Sequence, residues 1–120
     1  MVRIPKAKEI VLVPCPYTDD IMVEKYRPMV IISSASHNNQ EDSVFGLLVT
    51  SSPLLKKKNS PFLIEMGEKD FDGKLRYKSF VLTDVPYSTN ISEVRGSFGT
   101  VSDEFYKIIL ERFKTAIQAE

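Results

Sequence analysis

Up to Val101 the apolar residues of this chain come in short runs, each closed by proline, glycine or a polar cluster, and that pattern constrains the fold more than any other feature. Ile10, Val11, Leu12 and Val13 form a run rich in β-branched residues. Pro14 and Pro16, which cannot donate to a ladder, end it, so it reads as a buried strand. Met29 to Ser33 reads as a second strand after a polar loop over Tyr17 to Tyr26. Ser34 to Asp42, full of Ser, Asn, Gln and acid, reads as a solvated turn. Val44 to Val49 gives a third strand stopping at Thr50, Ser51, Ser52 and Pro53, and Phe62 to Ile64 a short fourth. Asp72 and Gly73 mark a turn, Phe80 to Leu82 with Val85 a fifth strand, and Ser97 to Val101 a sixth.

Only the end of the chain changes period. Ser102 followed by Asp103 and Glu104 is a helix start, because the hydroxyl accepts from first-turn amides and the acids suit the positive end of the dipole. Phe105, Ile109, Phe113 and Ile117, joined by Ile108 and Ala116, make one apolar face, with Lys107, Glu111, Arg112 and Lys114 towards water. Many short strands and one terminal helix predict an α+β fold, mainly β: a small, strongly curved antiparallel sheet or SH3-like barrel with a C-terminal helix. A chain of 120 residues is expected to be a single domain over residues 1–120, since two cores would each lack apolar area.

Composition narrows the function classes. Sixteen basic residues balance sixteen acidic ones, so the chain as a whole has no electrostatic footprint for nucleic acid. Locally the balance tips, for Lys56, Lys57, Lys58, Lys69, Lys74, Arg76 and Lys78 outnumber Glu65, Glu68, Asp70 and Asp72. No stretch approaches the roughly 18 apolar residues of a membrane span, and Met1 to Ile10 lacks the apolar centre of a signal peptide, so no membrane partner is expected. The lone Cys15 suits a reducing compartment and so the cytoplasm, and between two prolines it reads as a small buried hydrophobe. With one His and one Cys, zinc-ligand spacing is absent, and no metal or cofactor is expected. Asp19 and Asp20 read as solvating charge and His37 as a solvent-facing residue. Ser/His/Asp and Cys/His catalysis therefore have little to stand on.

Arg27, immediately before Pro28, and Thr50, at a strand end, acquire meaning from a resemblance. KEIVLVPCPYTD (Lys8 to Asp19) looks like the opening strand of MazF/PemK toxins, commonly Gly-Asp, an apolar run, then P-F-P-F-T-D. YRPMVIIS (Tyr26 to Ser33) resembles the family's arginine-proline strand, and LLVTSS (Leu47 to Ser52) its strand ending in threonine-serine. YKSFVLTDV (Tyr77 to Val85) is similar to its serine-containing strand, and GTVSDEFYKII (Gly99 to Ile109) to its closing glycine and capped helix. Each motif is common alone, but five in one order are not. The departures are Lys8 in the glycine position, Cys15 and Tyr17 in the aromatic places, apolar Ile21 to Val23 in the first loop, and Glu93 where the family is often basic.

The resemblance implies a toxin of a toxin-antitoxin system: a metal-independent endoribonuclease cutting single-stranded RNA, active as a homodimer and restrained by a cognate antitoxin. It implies Arg27 and Thr50 as catalytic residues, with Ser51, Tyr17, Asp19, Lys56, Lys57 and Lys58 in RNA binding. The chemistry fits. RNA carries its own nucleophile, the 2'-hydroxyl, so a nuclease need only align it, remove its proton and stabilise charge on phosphate oxygens. A permanently cationic, bidentate arginine suits the last task, and a threonine hydroxyl can donate to a phosphate oxygen. Alternatives are a non-enzymatic, gyrase-poisoning toxin of similar fold, an interaction domain without activity, and, for Lys56 to Lys58, a merely solvated loop.

Overall fold

The computed structural model describes residues 3–15, 25–51, 53, 57–74 and 78–119. Six strands and two helices follow in the order β1 (Glu9–Cys15), β2 (Lys25–Ile31), α1 (Ala35–Glu41), β3 (Ser43–Thr50), β4 (Leu63–Met66), β5 (Ser79–Asn90), β6 (Arg95–Thr100) and α2 (Asp103–Ile117). All pairings are antiparallel, in one sheet of order β4-β5-β3-β2-β1-β6. The expected α+β architecture is present, as a curved sheet and not a closed barrel. Beyond the edge strands, among the described residues, Phe71 forms an isolated bridge with Val101, flanked by bonds from Asp72 N–H to Thr100 (3.1 Å) and from Ser102 N–H to Asp70 (2.8 Å). Gly73 is required at this crossing, because a Cβ there would stand 1.8 Å from the Phe98 carbonyl oxygen.

The strands read as apolar runs because both faces of the sheet are buried, so successive side chains enter opposite cores. On the outer face Ile10, Val30, Leu47, Val49 and Val81 meet Phe105 and Ile109 of α2. On the inner face Val11, Val13, Cys15, Met29, Ile31, Val44, Leu48 and Leu82 pack together. Among the described residues no α-helix covers the inner core, and the bending of the sheet packs against it. β5 bends where its register on β3 jumps, Leu47 lying across from Pro86 but Val49 across from Val81. β4 pairs only with the first part of β5, Ser79 to Leu82, and the Thr83 hydroxyl donates to the Phe62 carbonyl (2.6 Å) at the bend. Val85, Tyr87, Ile91 and Val94, beyond the bend, then pack on the inner core.

The expected C-terminal helix forms from its expected cap, with the Ser102 hydroxyl accepting from Phe105 N–H at 3.1 Å. Its apolar face is narrower than the periodicity suggests. Phe105 and Ile109 are buried and Phe113 half-buried, whereas Ile108 and Ile117 are 48% and 64% exposed. The Arg112 guanidinium donates to the Pro61 carbonyl (2.6 Å), tying the helix to the segment before β4.

Ser34 to Asp42 is not a solvated turn: residues 35–41 are helical. Ser34 caps α1 by accepting from His37 N–H, and Asp42 ends it at φ 52°. No apolar stripe announces this helix because a polar residue anchors it. Asn38, fully buried, donates through Nδ2 to the carbonyls of Pro5 (2.7 Å) and Ser33 (3.3 Å). His37, expected to face solvent, is half-buried, bonded to Asn38 and edge-on to Phe45 at 5.0 Å.

Lys8 and Glu9 occupy the family's Gly-Asp positions, and the structure shows what that pair does. Lys8 has φ 81°, in the left-handed region that glycine enters without strain. Its carbonyl accepts from Val101 N–H (3.0 Å), its N–H donates to Ile31 (2.8 Å), and its ammonium pairs with Asp103. Glu9 is buried at 3% exposure and accepts from both Arg3 Nη atoms (3.1 and 2.6 Å), from Lys6 N–H (2.9 Å) and from Ser97 Oγ (3.2 Å). Burial alone would raise the Glu9 carboxyl, but the bonds from Arg3, Lys6 and Ser97 and the Arg3 charge outweigh it and hold it below the usual carboxylate range.

Candidate active site

The end of β1, the start of β2 and the end of β3 lie at one end of the inner core. The β2–β3 register runs from Ile31 across from Gly46 to Met29 across from Leu48. Arg27 stands two residues before Met29 on β2 and Thr50 two residues after Leu48 on β3. Because side chains alternate, both share the inner face with Met29 and Leu48. Arg27 also lies across from Val13 of β1, so the wall beside it is the end of that strand.

Arg27 is half-buried and Thr50 only 7% exposed, an arrangement that limits the freedom of both. Cys15 completes the wall. Burial pushes its thiol up and the nearby Arg27 charge pulls it back, with burial the stronger effect. The thiol is thus a neutral, buried neighbour of the guanidinium, as expected of a small hydrophobe. A guanidinium and a hydroxyl on one face of neighbouring strands are a donor set suited to grip a phosphoryl group.

The other residues expected at the site divide. Ser51 follows Thr50 and is exposed. Tyr17, Asp19 and Lys56 lie outside the described residues. Lys58 is exposed, but Lys57 is not a free cation: its ammonium meets Asp84 Oδ2 at 2.6 Å, each side chain one quarter exposed. The basic run therefore has a structural member, which reaches back to the bend of β5. Asp84 was missed by the sequence reading. Its other oxygen, Oδ1, is buried with no hydrogen-bond partner among the described residues. An acid inside the apolar strand around Leu82 and Val85 was the available signal. Tyr87, also missed, donates its hydroxyl to the Pro14 carbonyl at 2.6 Å, at the end of β1. Among the described residues no three His, Cys, Asp or Glu side chains gather as a metal site would require.

The chain belongs to the PemK-like, MazF-like toxins of type II toxin-antitoxin systems, whose family model matches residues 6–117. Its fold is shared by solved structures of low sequence identity. One is an endoribonuclease from a mycobacterial species in complex with its cognate antitoxin (TM-score 0.72, 17% identity, 97% of this chain and 95% of that one). Another is a MazE–MazF complex from Deinococcus radiodurans (TM-score 0.74, 16% identity, 99% and 100%). A third is the Mycobacterium tuberculosis toxin MazF-mt6 (TM-score 0.71, 12% identity, 93% and 98%). A search of curated protein sequences finds no match. Among the described residues no helix is long and apolar enough to cross a membrane.

Proposed function

We propose that residues 1–120 act as one toxin domain, a metal-independent endoribonuclease that cleaves single-stranded RNA in the cytoplasm. The observation that supports this reading is that Arg27 and Thr50 lie on neighbouring strands, each two residues from the Met29–Leu48 pair of the inner core. Family membership supports it.

The 2'-hydroxyl attacks the adjacent phosphorus and loses its proton, the bond from phosphorus to the 5'-oxygen breaks, and that oxygen takes up a proton. The products are a 2',3'-cyclic phosphate and a 5'-hydroxyl. No metal is needed, because the nucleophile belongs to the substrate and a guanidinium can balance charge on the non-bridging oxygens. Arg27 does this, Thr50 donates to a phosphate oxygen and holds the reacting group in line, and exposed Ser51 supports the neighbouring backbone. Tyr17, Asp19, Lys56 and Lys58 carry the RNA on either side, and Lys57 acts through its pair with Asp84. The functional form is a homodimer, and a cognate antitoxin with an acidic segment occupies the RNA groove.

Purified protein incubated with mixed-sequence RNA in excess chelator tests the reading. Fragments ending in cyclic phosphate, absent with Arg27→Ala, are expected. Intact RNA would overturn it and leave the gyrase-poisoning or inactive alternatives.

A further inference from the structure

One polar tie in the inner core has no part in the cleavage scheme above. Tyr87 lies beyond the bend of β5, across from Gly46 of β3, and packs on the inner core. Its hydroxyl donates to the Pro14 carbonyl at 2.6 Å, between residues 73 apart in sequence. In the sheet β5 and β1 are separated by β3 and β2, so this bond spans the bend and does not join neighbouring strands. It fixes the curled half of β5 to the last residues of β1.

Those residues form the wall beside Arg27. Pro14 is buried, and it is flanked by Val13, which lies across from Arg27, and by Cys15, which feels the Arg27 charge. We propose that Tyr87 is a positioning residue for Arg27: its bond to the Pro14 carbonyl holds the end of β1 so that the guanidinium keeps one place relative to Thr50. The proposal rests on the reading of Arg27 as the phosphate ligand. Its physical basis is the steep dependence of rate on alignment, since a misplacement of about 1 Å costs on the order of 100-fold. A buried carbonyl deprived of its donor also favours a shifted strand end where water can reach it.

Tyr87→Phe keeps the ring in the core and removes only the hydroxyl. The expected result is kcat lower by about tenfold with KM within about twofold, because the loss falls on the transition state. The effect should vanish when Arg27 no longer does its work: in an Arg27→Lys background Tyr87→Phe should change kcat by less than about twofold. A residue that merely stabilised the fold would lower both backgrounds by the same factor. A readout independent of RNA is alkylation of Cys15 by iodoacetamide in the folded protein, expected to be about threefold faster or more in Tyr87→Phe as its seat loosens. Wild-type kcat in folded Tyr87→Phe, or equal factors in the two backgrounds, overturns the proposal. An unchanged Cys15 rate overturns it whatever the RNA assay shows. If the wild-type protein cleaves no RNA, the cleavage reading falls on its own, and the Cys15 rate still decides whether Tyr87 holds the wall.

Discussion

The two cores of this sheet are built from the same strands and end differently. The outer one is covered by α2, and its buried members include Ile10, Val30, Leu47, Val49, Phe105 and Ile109. The inner one is packed, among the described residues, by Leu63 of β4, by Val85 and Tyr87 of the bent half of β5, and by Ile91 and Val94. Each core admits one tyrosine whose hydroxyl donates to a backbone carbonyl, Tyr106 to Ile32 in the outer and Tyr87 to Pro14 in the inner. The inner face is the one whose strands carry Arg27 and Thr50, the residues proposed to meet the substrate. Stability and activity should therefore separate by face.

The largest expected effect is on activity. Arg27→Ala removes the only charge proposed for the phosphate and should lower cleavage by about 100 to 1,000-fold, measured as single-turnover rate, with thermal unfolding near that of the wild type. Normal cleavage by the folded variant would remove Arg27 from the mechanism and dissolve the distinction between the faces. Ile109→Ala is the counterpart on the outer face. A fully buried residue is truncated, so unfolding in urea should show a loss of about 2–4 kcal/mol, while cleavage per folded molecule stays unchanged. A fall in both would mean that the faces are coupled.

Acid sharpens the comparison from a third place, the start of β1. The Glu9 carboxyl is held below its ordinary value in the folded state. Its contribution is therefore complete above the unfolded value of about 4.3 and drains away as pH falls through the lower folded value. Wild-type stability should decline across that acidic window more steeply than that of Glu9→Gln. Parallel pH profiles would show that the Arg3, Lys6 and Ser97 bonds do not favour the charged form.

Lys8 gives the smallest effect. Lys8→Gly relieves a left-handed residue of about 1 kcal/mol of strain but loses the Asp103 pair and the Tyr106 ring, 5.7 Å from the ammonium. Lys8→Ala keeps the strain and loses the same contacts. The glycine variant should melt above the alanine variant, and the reverse order would mean that the backbone at Lys8 relaxes.

Much of this was legible where burial speaks through pattern. The β1 and β3 runs and the Ser102-capped helix appear near where apolar runs, capping hydroxyl and periodicity put them, but β2 begins at Lys25, inside the stretch read as a polar loop, and carries Pro28 within it. α1 was not legible, because its anchor is Asn38 and a buried amide in a polar segment leaves no periodic trace. The bend of β5 was invisible too, since a register jump depends on which strand lies alongside. At the site, Arg27 and Thr50 gained significance from the order of their motifs and not from their own types. Asp84 and Tyr87 stayed hidden because their partners, Lys57 and Pro14, are 27 and 73 residues away. The Lys57 pair also shows why a run of like charges misleads: each lysine's surroundings are set by the fold and not by its neighbours in sequence.

The position of β6 bears on how the chain is made. β1 to β3 are adjacent in sequence and in the sheet, yet β1 gains its second neighbour only from Arg95–Thr100, near the end of the chain. Synthesis runs at about 5–20 residues per second, so several seconds separate the first strand from the last on the ribosome. Throughout that interval Glu9 lacks Ser97 and the Lys8 carbonyl lacks Val101. The strands bearing Arg27 and Thr50 emerge early, but their scaffold closes only once Arg95–Thr100 has been made.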